Sequence, residues 1–502
     1  MTCDILPFPQ ELRPRLPTIV GNVDYLTLER RLKQFDELLI QSGLETEFVQ
    51  RSLDRWMAAG GETTPSVTEQ LRFQQSSRQA LRCNLLRTLL QKDLRGFSRE
   101  LAGSPLYQWF CAIDVLETVQ VPSKSQLQRF AHWLPEEEMA AFCQSLIRTA
   151  VHQPERLRLT RALDLEEYFL DSTCLKANIH FPVDWVLLRD AVRTLMKATL
   201  RIREQGLKER MEPPEEFLTR INRLAIQMTQ AGRRSGSARE RKRVLREIKR
   251  LVGVVKSHAG RHRQLLDQHW TRTEWSRAEA EVVLRRLDGV LELLPRALKQ
   301  AHERIIGERP VDNADKLLSL YEPEVRVIVR GKAGAEVEFG NTLLIGENRQ
   351  GVILDFELFQ QTAPADNRLL LESLLRVEGV SGRKVGAVVT DRGFASAANS
   401  RTLDESDTQD ATCPRQPARL RERMTDADFA RRQRRRAQTE GRIGILKNGF
   451  LGRPLRAKGF EHRALALCWG VLTHNLWKIA RIGEEQQAEL EATRRRRRRR
   501  AA

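Results

Sequence analysis

Two short apolar runs, each closing on an aspartate, set the terms on which this chain can fold. One reads YFLD at residues 168–171 and the other VGAVVTD at residues 385–391. Both are too short for helices and too apolar for surface loops, so they read as buried strands. Asp171 and Asp391 are 220 residues apart. Between them strand patterns appear at residues 325–329, 337–345 and 352–359, with a helix at 367–375. Such elements need only roughly 60–90 residues at ordinary strand and loop lengths. The surplus falls in residues 186–306, where long charged helices replace strands and a Ser/Gly break at 233–237 divides two helical arms. The pattern predicts an α/β protein: a mixed sheet flanked by helices, with a helical insertion after the first strand.

Ahead of the first strand the periodicity is helical throughout. Leu28, Leu32, Phe35 and Leu39 form one apolar stripe, and Gly43 is placed to stop that helix. Further helices are expected at residues 67–90, 106–116 and 124–134. The stretch from Tyr107 to Trp133 reads helix, short VPS turn, helix, and its second helix presents Lys124, Gln126, Gln128 and Arg129. That is the layout of a helix-turn-helix, in which Lys124, Gln128 and Arg129 would face the major groove. The plain alternative is a helix pair that only packs. Past the insertion, Glu347, Asn348 and Gly351 supply turn chemistry for a hairpin, and Asp366 is placed to cap the helix at 367–375. Seven consecutive arginines at 494–500 are expected to be disordered by mutual repulsion. The expected division is an N-terminal helical DNA-binding region at 1–155, the first part of a core at 156–185, the insertion at 186–306, the rest of the core at 307–482 and a disordered Arg-rich tail at 483–502.

Charge narrows the partner. With 85 basic against 66 acidic residues, a net charge of +19 and a pI near 10.1, the chain suits a polyanion. Nucleic acid is the first reading and an anionic membrane surface the second. A spanning helix needs about 20 apolar residues; residues 464–472 are the best run and fall far short. The first residues carry neither the basic start nor the apolar centre of a signal peptide. The seven cysteines include no CxxC pair, which argues against zinc ligation and a disulfide framework. A reduced, cytoplasmic protein without a membrane anchor is expected.

A third carboxylate completes a chemical pattern. Residues 433–447 read QRRRAQTEGRIGILK, a helix in which Ile443, Leu446 and Phe450 recur on one side. Arg436 and Glu440 lie one turn apart on another face, with Lys447 two turns beyond. A carboxylate between cations is commonly a solvated surface pair. Two aspartates at strand ends alter that reading, because three convergent carboxylates can hold a pair of divalent cations. Paired metals stabilise both the attacking and the leaving oxygen of an in-line displacement at phosphorus, and oxygen ligands suit Mg2+. The flanking stretch 415–436 holds nine arginines against Glu422, Asp426 and Asp428. His180 and His474 have no partner at ligand spacing and read as structural, and Trp185 reads as a core residue before a base-stacking one.

These residues resemble the DDE transposases of bacterial insertion sequences, which have an RNase H-like catalytic core. The likeness runs through nearly the whole chain and is sharpest in four blocks. LDSTCLKANIHFPVDWVLLRDAVRTL holds Asp171, GNTLLIGENRQGVILDFELF resembles the central hairpin, AVVTDRGFASAAN holds Asp391 and RRRAQTEGRIGILKN holds Glu440. Arg436, Glu440 and Lys447 keep the Arg-x3-Glu-x6-Lys spacing of one large branch, whose tyrosine three residues before the arginine is here Gln433. The resemblance implies two Mg2+ ions, with Mn2+ as a possible substitute, on Asp171, Asp391 and Glu440. It implies double-stranded DNA as partner, at the element's terminal inverted repeats and at the target, with a homodimer in the synaptic complex and residence on the nucleoid. Arg436 and Lys447 would touch the scissile phosphate, and Arg392 would steer the DNA. A nuclease of the same fold that cuts without joining is one alternative, and a non-catalytic, transposase-derived DNA-binding protein is another.

Overall fold

A computed structural model describes residues 4–7, 12–60, 65–115, 117–332, 335–452 and 455–501. Seven helices precede the first strand among the described residues: α1 (Val23–Gln41), α2 (Leu44–Ala59), α3 (Val67–Leu89), α4 (Leu94–Gly103), α5 (Pro105–Phe110), α6 (Lys124–Ala131) and α7 (Glu136–His152). The predicted stripe lies inward, with Leu32, Phe35 and Leu39 fully buried and Leu28 packed on them. Gly43, at φ 78°, ends α1 and opens α2 as expected.

The helix-turn-helix expectation meets a different geometry. Helix α5 stops at Phe110, and residues 111–123 separate it from α6 where a turn of three or four residues was expected. The cause is burial: Cys111, Ala112 and Ile113 turn into the core, with Ala112 at φ 51°. Leu116, the end of the expected helix, lies outside the described residues. In α6 Leu127 and Phe130 are buried, leaving Lys124, Gln128 and Arg129 exposed.

Strand β1 (Glu167–Lys176) follows, then the helical insertion. Helices α8 (Asp184–Glu204), α9 (Pro214–Gly232), α10 (Ala238–His269) and α11 (Arg277–Ala301) pack around a core of their own, including Leu188, Val192, Ile248, Val252 and Leu287. The predicted break at 233–237 is the turn between α9 and α10. Trp185 packs on this core. Where α11 returns beside the start of α8, buried Asp184 accepts from Arg304 at 2.9 Å and Gln300 at 2.8 Å. A charge out of water needs such partners.

The chain then returns to the sheet through β2 (Arg326–Lys332), β3 (Ala335–Asn348) and β4 (Ile353–Leu358), crosses it in α12 (Asp366–Ser381), and adds β5 (Ala387–Val389). Helix α13 (Ala397–Glu405) leads to β6 (Gln409–Asp410), and α14 (Pro417–Arg423), α15 (Ala427–Arg436), α16 (Thr439–Leu446) and α17 (Phe460–Ala501) complete the fold. The sheet is mixed, in the order β2-β3-β1-β5-β6. One edge of β3 pairs along β1, while β2 and then β4 succeed each other on its other edge, all antiparallel. Strands β5 and β6 join parallel on the far side of β1.

Tyr168 of β1 lies across Gly346, where any Cβ would strike the ring. Its hydroxyl meets Ser373 of α12 at 2.7 Å, Ser373 donates to Asp355 at 2.6 Å, and Arg376 clamps Asp355 with two bonds of 2.9 and 2.8 Å. This buried network fixes α12 against the sheet.

Two further expectations need correction. The N-terminal helices are no separate domain: their apolar core is continuous with Tyr168, Leu170, Leu369, Val388 and Trp469 of the sheet, α12 and α17. The backbone of the arginines at 494–500 continues α17 as helix. Arginine is a good helix former, and extending an existing helix avoids the cost of nucleation.

Because Trp469 is fully buried in that common core and its Nε1 donates to the Ala131 carbonyl at 3.2 Å, Trp469→Ala should cost about 3–5 kcal/mol. Denaturant unfolding followed by circular dichroism and by proteolysis of residues 23–152 should show one transition shifted as a unit. A sheet transition that moves while the N-terminal helices stay put would show two independent cores.

Candidate functional site

The site is laid out by the two faces of β1. Side chains alternate along a strand, so Tyr168 and Leu170 enter the large core while Glu167, Phe169, Asp171, Thr173 and Leu175 face the other way. The parallel register pairs Phe169 with Val389. Two residues beyond that pair stand Asp171, still within β1, and Asp391, just past the end of β5. Asp171 lies mid-strand in β1 and not at a strand end as expected, because the long strand β3 pairs with β1 from Tyr168 to Lys176. Only its parallel neighbour has stopped. Asp391 lies past the end of β5, where its Oδ1 accepts from the Gly393 amide at 2.8 Å.

The C-terminal helices cover this face of β1 in order. Phe169 packs with Val389, Ala411 and Phe429 of α15, and the Arg435 guanidinium stands 4.5 Å over its ring. Leu175 joins Ile443, Leu446 and Phe450, the apolar side read from the sequence. The Lys447 ammonium donates to the Thr173 hydroxyl at 2.6 Å and to the Cys174 carbonyl at 2.7 Å. The expected single helix is broken, however. Helix α15 ends at Arg436 and α16 starts at Thr439, so Arg436 and Glu440 are not a turn apart on one helix. Both ends are held by the sheet: Gln433 donates to the Ala411 carbonyl at 2.7 Å, while buried Thr439 donates to Glu347 at 3.2 Å.

Between these anchors lies a cavity of about 1060 Å³. Asp171, Asp391, Glu440, Arg436 and Lys447 all line it, and so does Asp366. The cap assignment of Asp366 is corrected: Ala365 holds the N-cap position of α12 without a side-chain bond, and Asp366 is the first residue of the helix. A Cβ on Gly393 would come within 2.9 Å of Asp366 Oδ2 and 3.0 Å of Asp391 Oδ1, so glycine is what lets those two carboxylates flank it. Glu338 and Arg326 complete the charged lining. Neither Glu338 nor Arg326 was singled out from sequence, and Asp366 was read only as a cap. The one available signal was Asp366 at a helix start, which fits a cap equally well.

Arg392 is exposed and is not among the residues lining the cavity; its carbonyl accepts from Arg415 at 3.2 Å. Lys124, Gln128 and Arg129 belong to the surface of the N-terminal helices, where Gln128 and Arg129 line a separate groove beside Trp56, Phe73 and Trp133. His474 is buried between Phe450 and Trp477, and burial pushes its pKa down to about 4. It is a neutral packing residue. The six described cysteines are free, and Cys3 lies outside the described residues.

Much of the arginine run is turned inward. Glu167, the first residue of β1, accepts from Arg431 at 2.7 Å and Arg432 at 3.1 Å. Burial pushes its carboxyl up, but the hydrogen bonds and charge of those arginines prevail and hold it below the usual range. At buried Glu347 the balance reverses: burial outweighs Arg442 and Arg435 and raises the carboxyl. Gln433, in place of the tyrosine, bonds the strand-end backbone and accepts from Arg436 at 3.2 Å.

Among the described residues no group of three or more histidine, cysteine, aspartate or glutamate side chains forms a ready-made metal site. The carboxylates share a cavity, not a point. Their donor chemistry is all oxygen, which fits a hard divalent ion such as Mg2+. The described residues include no helix long and apolar enough to cross a membrane. Set beside known proteins, the chain matches no family model, no curated protein and no solved structure.

The clasp on Glu167 has a pH signature. A carboxyl lowered by folding contributes stability above its unfolded pKa, about 4.3 for glutamate, and loses that contribution as pH falls through the folded value. Glu167→Gln should therefore destabilise the fold by about 1–3 kcal/mol at pH 7, discounted because Arg431 is partly exposed. The gap to wild type should narrow on acidification below about pH 4. A gap that widens in acid would show that the ion pairs do not hold α15.

Proposed function

We propose that the chain is a DDE transposase of an insertion sequence, with an RNase H-like core that hydrolyses phosphodiesters at the element's ends and transfers the freed 3′-hydroxyls to target DNA. The shared cavity carries this reading: the parallel β1–β5 register leads the chain toward Asp171 and Asp391, and both line one cavity together with Glu440, Arg436 and Lys447. A sheet whose antiparallel part meets its parallel part at the strand bearing the first aspartate supports the RNase H-like assignment. Asp171, Asp391 and Glu440 would hold two Mg2+ ions, for which Mn2+ can substitute; bound there, the ions neutralise charge on the attacking and leaving oxygens.

The chain's own groups do the rest. Lys447, fixed by Thr173 and Cys174, presents a cation at one wall of the cavity, and Arg436 presents a guanidinium suited to bidentate contact with a phosphate. Gln433 is engaged in bracing the backbone of Ala411, so base stacking at that position is not part of the proposal. Double-stranded DNA is the partner, a homodimer the synaptic unit, and the bacterial nucleoid the place of action.

The test is a nicking and joining assay on labelled element-end DNA with Mg2+. Asp171→Asn, Asp391→Asn and Glu440→Gln should each lower cleavage by about 10²-fold or more, the scale of losing one charge-stabilising group, while DNA is still bound. Asp366→Asn should also slow cleavage, by about tenfold or more on that scale, since its carboxylate lines the cavity. Cleavage by Glu440→Gln near the wild-type rate would remove that glutamate from the chemistry. Wild-type protein that cuts but never joins would indicate the nuclease. Protein that binds but never cuts would indicate the non-catalytic DNA-binding protein.

A further inference from the structure

The positive charge of this chain is not where a DNA-binding N-terminus would put it. Residues 1–155 hold 17 basic and 19 acidic residues, a net of −2. Residues 186–306, the helical insertion, hold 28 basic and 15 acidic, a net of +13 out of the chain's +19. Within the insertion the excess is ordered. Arg239, Arg243, Arg246 and Arg250 of α10 are all exposed and recur at spacings of four, three and four, so they form one line along the helix. Over those eleven steps the line is about 16 Å long. Val244, Leu245, Ile248 and Val252 point the opposite way, into the insertion's core, which locks the stripe outward.

A groove of about 520 Å³ runs beside the stripe between α9 and α10. Arg250 lines it from α10, and exposed Arg220 and Arg223 line it from α9. Two acidic residues bear on this surface: Glu247 lies 2.8 Å from Arg243 of the stripe and lines the groove, and Glu212, also in the groove, is paired with Arg220. An exposed i,i+4 pair of that kind is worth little and exchanges readily for a phosphate.

We infer that this arginine stripe, with the arginines of the α9–α10 groove, is the chain's principal surface for duplex DNA. The inference rests on the DNA reading above and adds which part of the molecule holds the duplex. Duplex DNA carries one charge per about 1.7 Å of axis, so a line of about 16 Å meets several phosphates. Guanidinium groups suit phosphate bidentately. The contacts hold the backbone and carry no sequence information, so they serve any DNA laid along the insertion, flank or target.

The experiment uses the full chain with Arg239, Arg243, Arg246 and Arg250 all changed to Gln, which keeps helix propensity and leaves the buried face untouched. Binding to labelled duplex is followed by anisotropy between about 50 and about 200 mM salt. The dependence of log affinity on log salt should become shallower by about 2–4, near 0.9 per lost phosphate contact, and affinity at the lower salt should fall by at least about tenfold. Lys124→Gln with Arg129→Gln in α6 should change the slope by less than about one. If the fourfold variant is misfolded by circular dichroism, Arg246→Gln with Arg250→Gln should still remove about two from the slope. Wild-type slope and affinity in the folded stripe variant, or a larger loss from the α6 variant, would overturn the inference while leaving the transposase reading standing. Wild-type protein without any affinity for duplex DNA would overturn both. Displacement of the duplex by vesicles containing phosphatidylserine more readily than by unlabelled duplex would reassign the stripe to a membrane surface.

Discussion

The parallel pairing of β1 with β5 involves three residue pairs, Glu167 with Ala387, Tyr168 with Val388 and Phe169 with Val389, and the arrangement of the site depends on it. A strand displaced by one residue turns every side chain to the opposite face. A slip here would carry Asp391 away from Asp171 and into the large apolar core. That core guards the register. Tyr168 needs Gly346 beneath its ring and Ser373 at its hydroxyl, and Val388 needs its place among buried side chains, so neither strand can slide without opening a cavity or orphaning a polar group. The short parallel edge is thus held by packing on one face so that carboxylates can be presented on the other.

The second half of the site is delivered by electrostatics as much as by apolar contact. Helix α15 is rich in arginine, and a helix of that composition would ordinarily stay in solvent. It is drawn onto the sheet because Glu167 and Glu347, both buried acids, accept from Arg431, Arg432 and Arg435. Phe169 and Phe429 add cation–π faces for Arg435 and Arg423 at 4.5 and 4.2 Å. The chain pays for these anchors with a break at residues 437 and 438, and that break sets Glu440 at the start of a new helix facing the cavity.

Several of these features were legible in the sequence, and the reasons differ. The strand runs, the insertion and its break at 233–237 were readable because they are long and strongly patterned. Ile443, Leu446 and Phe450 were readable because helical spacing survives the change from one long helix to two short ones. The break itself was hidden, since Ala437 and Gln438 have ordinary helix propensity and the contacts of Arg435 and Thr439 with Glu347 that flank it are distant in sequence. Asp366 lines the cavity for a reason equally hidden in the local sequence. A helix cap and a cavity carboxylate look alike until the Gly393 turn is seen folding back against it. The helix pair at 107–133 failed because Cys111, Ala112 and Ile113 are claimed by the core, a tertiary demand that no local turn signal announces.

The claim on which function turns is that Asp171, Asp391 and Glu440 act together on divalent cations in one cavity, and cleavage of the protein by bound Fe2+ addresses it directly. Iron exchanged for Mg2+ and supplied with hydrogen peroxide and ascorbate splits the peroxide to hydroxide and a hydroxyl radical, the ascorbate returning Fe3+ to Fe2+, and the radical cuts the backbone nearest the ion. Cuts should appear beside Asp171, Asp391 and Glu440, should be suppressed by excess Mg2+, and should be absent from α6 and the insertion. Cuts confined to other parts of the chain, or unchanged when Asp391 is replaced by Asn, would contradict a metal site built on the β1–β5 register.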